Sequence, residues 1–272
     1  MISPIGIFDS GVGGLSVLRA ISAQMPDESV IYFGDQAHIP YGPRPMEQIR
    51  NFSEAITNFL LEQNAKIIVV ACNTASAASL KYLREKFPDV QFVGMEPAVK
   101  PAAEHTQTGR VGVLATPATF QGALYASVVE RFASGVELFQ NTCNGLVQQI
   151  EQGNLRGEET RRILDDALSP MLKKNIDTVV LGCTHYPFVI PLIEQIVGDA
   201  ARVRVIDPAP SVAKQVRRVL EASSMKNESG ALGNIKFYTS GDPVALKSLL
   251  PVLIGEAGEV NRVSWRDDLH VA

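Results

Sequence analysis

Residues 67–75 read IIVVACNTA. Four β-branched residues run through an alanine into a cysteine, and small polar groups follow at once. A buried cysteine behaves as a small hydrophobe and sits inside such a run. Cys72 instead stands where the apolar pattern stops. The design returns at 178–187, TVVLGCTHYP, with a second Val-Val pair and Cys183 at the edge. The two cysteines are 183 − 72 = 111 residues apart in a chain of 272. That spacing predicts two similar halves, each offering one thiol at a strand end.

Outward from these two stretches, short apolar runs recur at Ile5–Phe8, Val30–Phe33, Ile67–Val70, Gln91–Gly94, Val111–Leu114, Val136–Phe139, Thr178–Leu181 and Val203–Ile206. Each has the length of a strand, lacks clear alternation and is rich in Val or Ile, the pattern of strands covered on both faces. Between them lie segments with helical spacing. Met46–Gln63 puts Ile49, Phe52, Ile56, Phe59 and Leu60 on one face, and Glu159–Lys173 does so with Ile163, Leu164, Ala167, Leu168 and Met171. Strand and helix alternate, which predicts βαβ units and mainly parallel sheets. The expected fold is α/β: two similar lobes related by an approximate two-fold, each a mainly parallel sheet flanked by helices. Ligands of open parallel sheets bind at the carboxyl ends of the strands, so the active site is expected between the lobes, with a thiol from each. The stretch EASSMKNESGALGN (221–234) reads as an exposed loop, and Ile235–Thr239 beyond it as an edge strand.

Composition narrows the function classes. Hydrophobic residues make up 46% and charged residues 20%, enough for an ample core. With 25 basic and 29 acidic residues the net charge is −4, which argues against a general nucleic-acid or anionic-membrane binder. No apolar run approaches the roughly eighteen residues of a membrane span. The start, MISPIGIFDSG, has neither a basic lead nor a long apolar segment, so no secretory signal is expected. Three cysteines do not make a disulfide framework. A cytoplasmic location with reduced thiols is expected.

The other strand ends are chemically suggestive. The first strand runs into FDSGVGGLSVL: Asp9 and Ser10 at its end, then Gly11, Gly13 and Gly14 in a turn toward a helix. Such a turn suits an anion or an ammonium group, or Ser10 simply caps the helix. It lacks the Lys-Ser/Thr of a P-loop and the usual dinucleotide spacing. FGDQAHIPYGPRP reads as a loop with an exposed Tyr41. ATPATF offers the hydroxyls of Thr116 and Thr119, either to a ligand or to a helix N-cap. QNTCNGLVQQIEQGN carries Cys143, read as half-buried and unreactive, and Glu151. His185, two residues past Cys183, is placed to orient that thiol or shuttle its proton. His38, His105 and His270 lack such neighbours and read as surface or loop residues.

Five blocks, IGIFDSGVGGLSVLR, IPYG, VVACNTASA, GVLAT and VVLGCTHYP, together resemble the glutamate racemases, cofactor-independent enzymes of bacterial cell-wall precursor supply. They fall in the right order over residues 5 to about 190. The resemblance implies that Cys72 and Cys183 are the two catalytic acid/bases, assisted by Asp9 and His185. It implies substrate contacts from Asp9, Ser10, Tyr41, Gly42, Asn73, Thr74, Thr184 and His185, with Glu151 a further acidic residue of the site; Thr116 and Thr119 complete the candidate substrate-binding set. Asn144 and Gln148 stand where the family often has proline, and Gly122 where it often has serine. The first lobe would take both chain ends, residues 1–95 and 208–272, leaving 96–207 to the second. Glutamate is the expected small-molecule substrate, D-glutamate for peptidoglycan the expected product use, and a homodimer the expected assembly. No cofactor, metal, nucleic acid or membrane partner is expected.

Two thiols suit this chemistry. Inverting an α-carbon removes a proton from one face and delivers one to the other, which a base on each face does without turning the substrate over. An unperturbed thiol with a pKa of about 8.5 is only slightly ionised at neutral pH, so one cysteine needs help. Rival readings are another branch of the superfamily such as aspartate racemase, a Cys-His thiol hydrolase, a zinc site from Cys72, Cys183, His185 and Cys143 without C-x-x-C spacing, and a two-lobed binding protein. The hydrolase leaves the duplicate cysteine without purpose.

Overall fold

The computed structural model describes residues 3–198, 203–266 and 270–271. The chain divides into two compact units, Met1–Met95 with Ala209–Ala272, and Glu96–Pro208.

The first unit opens with strand β1 (Ile5–Asp9), helix α1 (Leu15–Gln24), β2 (Val30–Gly34), α2 (Met46–Glu62), β3 (Ile67–Val70), α3 (Asn73–Lys86) and β4 (Phe92–Gly94). The second holds α4 (Val99–His105), β5 (Arg110–Ala115), α5 (Pro117–Gln121), α6 (Ala123–Phe132), β6 (Glu137–Asn141), α7 (Leu146–Glu151), α8 (Glu158–Leu172), β7 (Thr178–Gly182), α9 (Ile190–Val197) and β8 (Arg204–Ile206). The chain then returns to the first unit with α10 (Ala209–Ala222), β9 (Ile235–Thr239), α11 (Pro243–Ile254), β10 (Val260–Arg262) and a small antiparallel pair, β11 (Trp265–Arg266) and β12 (His270–Val271).

The first unit's sheet has the order β10-β9-β2-β1-β3-β4, and the second unit's has β6-β5-β7-β8. All pairings in both are parallel, as the unalternating Val/Ile runs require. β1, β2, β3 and β7 are buried along their whole length. Helix α2 turns Ile49, Phe52, Ile56 and Leu60 inward, each burial stabilising by roughly 1.5–3 kcal/mol. Helix α8 buries Ile163, Leu164, Ala167, Leu168 and Met171 in the same way.

The strand orders repeat one plan. From β1 the chain steps to one side (β2), then crosses back to β3 and on to β4; from β5 it steps to β6, then crosses to β7 and β8. Where a doubly wound sheet reverses direction, the loops at the strand carboxyl ends part and leave a crevice. That point lies between β1 and β3 in the first unit and between β5 and β7 in the second. Asp9 closes β1 and Cys72 follows β3 in the first pair, and Thr116 and Cys183 follow β5 and β7 in the second.

Several expectations need correction. Ile235–Thr239 is not an edge strand, because β10 pairs outside it; the short, half-polar VNR of β10 carries no apolar run to announce it. The edge strands β6 and β8 are partly exposed rather than covered on both faces. The 221–234 stretch is mostly exposed but anchored: the Asn227 backbone N–H donates to Glu28 at 2.7 Å and Lys66 Nζ to the Met225 carbonyl at 2.7 Å.

Candidate active site

In the first unit, the turn after β1 folds back onto the strand end. The Gly14 N–H donates to Asp9 Oδ2 at 2.7 Å, and Tyr32 donates to the Gly11 carbonyl at 2.6 Å. The N-cap of α1 is Gly14, without a side-chain cap bond, so Ser10 does not cap the helix, and Asp9 instead holds the turn that leads into it. A Cβ at Gly14 would lie 2.7 Å from that of Asp9, so glycine is what lets the carboxylate reach the helix N-terminus. Cys72 is the N-cap of α3, its Sγ accepting from the Ala75 N–H at 3.4 Å. Its thiol lies 3.8 Å from Ser10 Oγ. Burial, and then the charge of Asp9, push the Cys72 thiol well above its ordinary value, against the opposing pull of the Ala75 N–H and the Ser10 hydroxyl.

Asn73 and Thr74 begin α3 and are buried. The Asn73 amide is sharper evidence: the residue is only 5% exposed, and neither its nitrogen nor its oxygen has a hydrogen-bond partner. A buried polar group left so costs about 1–3 kcal/mol, which a ligand meeting it would recover.

The loop after β2 departs from its reading. Tyr41 is buried, not exposed, and donates its hydroxyl to Asp35 Oδ2 at 2.6 Å. Burial first, then Asp35, hold its phenol well above the ordinary value. His38 is likewise buried, stacked on Phe52 with centroids 4.0 Å apart, rather than a surface residue. Gly42 faces open space on its Cβ side. His105 is exposed, and His270 belongs to a strand rather than a loop.

In the second unit, Cys183 follows β7 directly, and its Sγ lies 3.7 Å from His185 Nδ1. His185 Nε2 is 2.6 Å from Glu151 Oε1 at the end of α7. Burial disfavours the charged imidazole, but Cys183 and Glu151 outweigh it and hold His185 well above the usual histidine range. Thr184 is buried beside them. Thr116 is the N-cap of α5 without a side-chain cap bond; its hydroxyl meets that of Thr119 at 3.0 Å. Cys143 is fully buried rather than half-buried, in the left-handed region at φ 44°. Burial, and then Cys183, push its thiol up to about 12.

The structure thus gathers Asp9, Ser10, Cys72 and Tyr41 in one unit, and Cys183, His185 and Glu151 in the other. Among the described residues, no three His, Cys, Asp or Glu side chains are grouped as a metal would need. No motif points to Asp35, which directly follows β2, one residue past the Gly34 that pairs with Asp9.

A thiol at the direction switch of each of two doubly wound sheets, each with its own acid–base neighbour, is the equipment of an isomerase that moves protons on and off carbon. Comparison with known proteins gives the same class. The family described as Asp/Glu/Hydantoin racemase matches residues 5–216, and the chain belongs to it. A glutamate racemase of Pseudomonas aeruginosa (strain UCBPP-PA14) is 50% identical over 259 residues, covering 95% of this chain and 97% of that one. The crystal structure of Escherichia coli glutamate racemase, in complex with L-glutamate and activator UDP-MurNAc-ala, superposes with a TM-score of 0.84 at 33% identity over 99% of both chains. That of the Francisella tularensis glutamate racemase with D-glutamate gives 0.83 at 31%, over 96% of this chain and 97% of that one.

Proposed function

We propose that this isomerase interconverts L- and D-glutamate by two-base proton transfer, with Cys72 and Cys183 as the two acid/bases. The observation that carries the reading is the repeated strand-end thiol, one in each unit at the same topological position, each with a different acid–base partner. Half the residues are shared with a glutamate racemase along nearly the whole chain, which supports glutamate as the substrate.

The steps follow from the chemistry. Cys183, as thiolate, takes the α-proton of L-glutamate, and Cys72, as thiol, delivers a proton to the opposite face. The reverse reaction starts with Cys72 as the base on D-glutamate. Burial and the charge of Asp9 push the Cys72 thiol up and favour its protonated form, which suits the role of acid toward L-glutamate. His185, held above the usual histidine range against its burial by Cys183 and Glu151 and 3.7 Å from Cys183, is a proton partner for that sulfur. The α-proton is far less acidic than a thiol, and each unit of mismatch is about 1.4 kcal/mol. Fixed donors narrow that gap where charge develops on the carboxylate. The Asn73 amide, the hydroxyls of Ser10, Thr74, Thr116, Thr119 and Thr184, and the Tyr41–Gly42 segment are the groups assigned to this, with Asp9 and Glu151 toward the ammonium. The reading carries with it a cytoplasmic homodimer that supplies D-glutamate for peptidoglycan precursors.

The purified protein should racemise glutamate without added pyridoxal phosphate, metal or nucleotide. It should prefer glutamate to aspartate by at least ~100-fold in kcat/KM, about 2.7 kcal/mol in transition-state binding. Equal kcat/KM for the two amino acids would move it to another branch of the family. Activity lost on exhaustive chelation and restored by zinc would refute the thiol mechanism.

A further inference from the structure

Asp35 directly follows β2 in the first unit and has no exposed surface, and four side chains converge on its carboxylate. Tyr41 Oη donates to Oδ2 at 2.6 Å, Ser240 Oγ to Oδ1 at 2.6 Å, and Trp265 Nε1 to Oδ1 at 2.8 Å. His38 Nδ1 lies 3.1 Å from Oδ1 and 3.0 Å from Oδ2. A carboxylate offers about four lone-pair sites, and these four partners surround both of its oxygens. The backbone of the same residue ties to the neighbouring strand end, its N–H donating to the Asp9 carbonyl at 2.9 Å.

Two consequences follow. First, the Tyr41 hydroxyl is committed to Asp35, so what this tyrosine offers a substrate is the position of its backbone and of Gly42, not its O–H. Second, two of the four partners come from the far end of the chain. Ser240 follows β9 and also accepts from the Ala37 N–H at 3.0 Å. Trp265 packs edge-on against His38, with centroids 4.9 Å apart, and against Phe52 at 5.4 Å. Arg44 fastens the same loop from the other side through the His38 carbonyl at 2.7 Å. A loop with turn chemistry only at its tip is thereby held by side chains more than 190 residues away in sequence.

We propose that Asp35 is a positioning residue for the racemase reaction, fixing the Tyr41–Gly42 segment against the Asp9 strand end through a hydrogen-bond hub that Ser240 and Trp265 complete. The inference rests on the reading that this segment contacts glutamate. Removing one hub donor should loosen the segment without touching either thiol, so substrate affinity suffers and the chemical step does not.

The test is steady-state kinetics of Asp35→Asn, Ser240→Ala and Trp265→Phe beside Gly42→Ala. Each hub variant should raise KM for glutamate about 5- to 20-fold while kcat stays within about 3-fold. Trp265 is the only tryptophan, so its emission reports whether the hub is assembled in Asp35→Asn and Ser240→Ala. A merely structural role would lower the melting temperature and leave KM unchanged, and that result overturns the inference. If Asp35→Asn does not fold, Ser240→Ala, which removes a single donor, decides. Gly42→Ala separates the two ways of failing, because an added Cβ there meets nothing within 4 Å in the fold. If Gly42→Ala raises KM and the hub variants do not, the segment binds glutamate and the hub inference is wrong. If Gly42→Ala and the hub variants alike leave KM unchanged, the segment does not contact substrate, and both fall.

Discussion

At the scale of single residues, the two thiols are chemically unlike. Cys72 has a carboxylate near it and a helix N-terminus beneath it, and burial pushes its thiol well above the ordinary value. Cys183 has a buried imidazole whose other nitrogen is 2.6 Å from a carboxylate. The prediction at this scale concerns His185. Its pKa is held above the unfolded value, so the charged form contributes stability that is complete below about pH 6.5 and is lost as pH rises through the folded value. Glu151→Gln removes one of the groups that raise it. In side-chain 15N spectra, assigned with His185→Asn, the His185 titration should lie above the usual histidine range and move down in Glu151→Gln. The melting deficit of Glu151→Gln should be largest near pH 6 and shrink toward alkaline pH. A His185 that titrates alike with Glu or Gln at 151 would remove Glu151 from the dyad.

At the scale of elements, strand ends that approach closely depend on small residues. Gly182 closes β7 beside Ala115 of β5, and a Cβ added there would lie 2.7 Å from that of Ala115 and 3.1 Å from the Leu114 carbonyl. Gly182→Ala should therefore destabilise by about 1–3 kcal/mol and displace the adjacent Cys183, cutting turnover. Ala115→Gly in the same chain should restore part of both losses, because it removes the nearer contact but not the carbonyl. Thermal melting and kcat of the two single variants and the double variant check this; strict additivity would show that the clash is not the cause. The elements themselves were readable where burial is uniform: the Val/Ile runs of β1, β3, β5 and β7 and the helical spacing of α2 and α8 needed no partner to be recognised. β10 was not, since Val260–Arg262 acquires its strand identity only by pairing with β9. Tyr41 and His38 were misread for a related reason. Turn residues around them signal a loop, but their burial is set by Asp35 and Trp265, and long-range pairing has no local pattern.

At the scale of the whole molecule, each unit carries one strand-end thiol on the same strand order, and the proposed two-base chemistry calls on both. The strand-end thiols were visible because a cysteine that stops an apolar run is unusual, and twice in one chain more so. The unpartnered Asn73 amide and the Asp35 hub were not visible, because satisfaction of hydrogen bonds is a property of the folded surroundings and not of residue type. The most direct measurement is exchange of the α-hydrogen of each glutamate enantiomer with D₂O in Cys72→Ser and Cys183→Ser, with Cys143→Ser as the control. Both catalytic variants should lose most racemisation, because serine is a far poorer base than a thiolate. Cys143→Ser should turn over nearly normally, since that thiol is buried and pushed up to about 12. Residual exchange should favour L-glutamate in Cys72→Ser, where Cys183 remains, and D-glutamate in Cys183→Ser, where Cys72 remains. A single variant that exchanges both enantiomers equally would mean that one base serves both faces, and would contradict the two-thiol account.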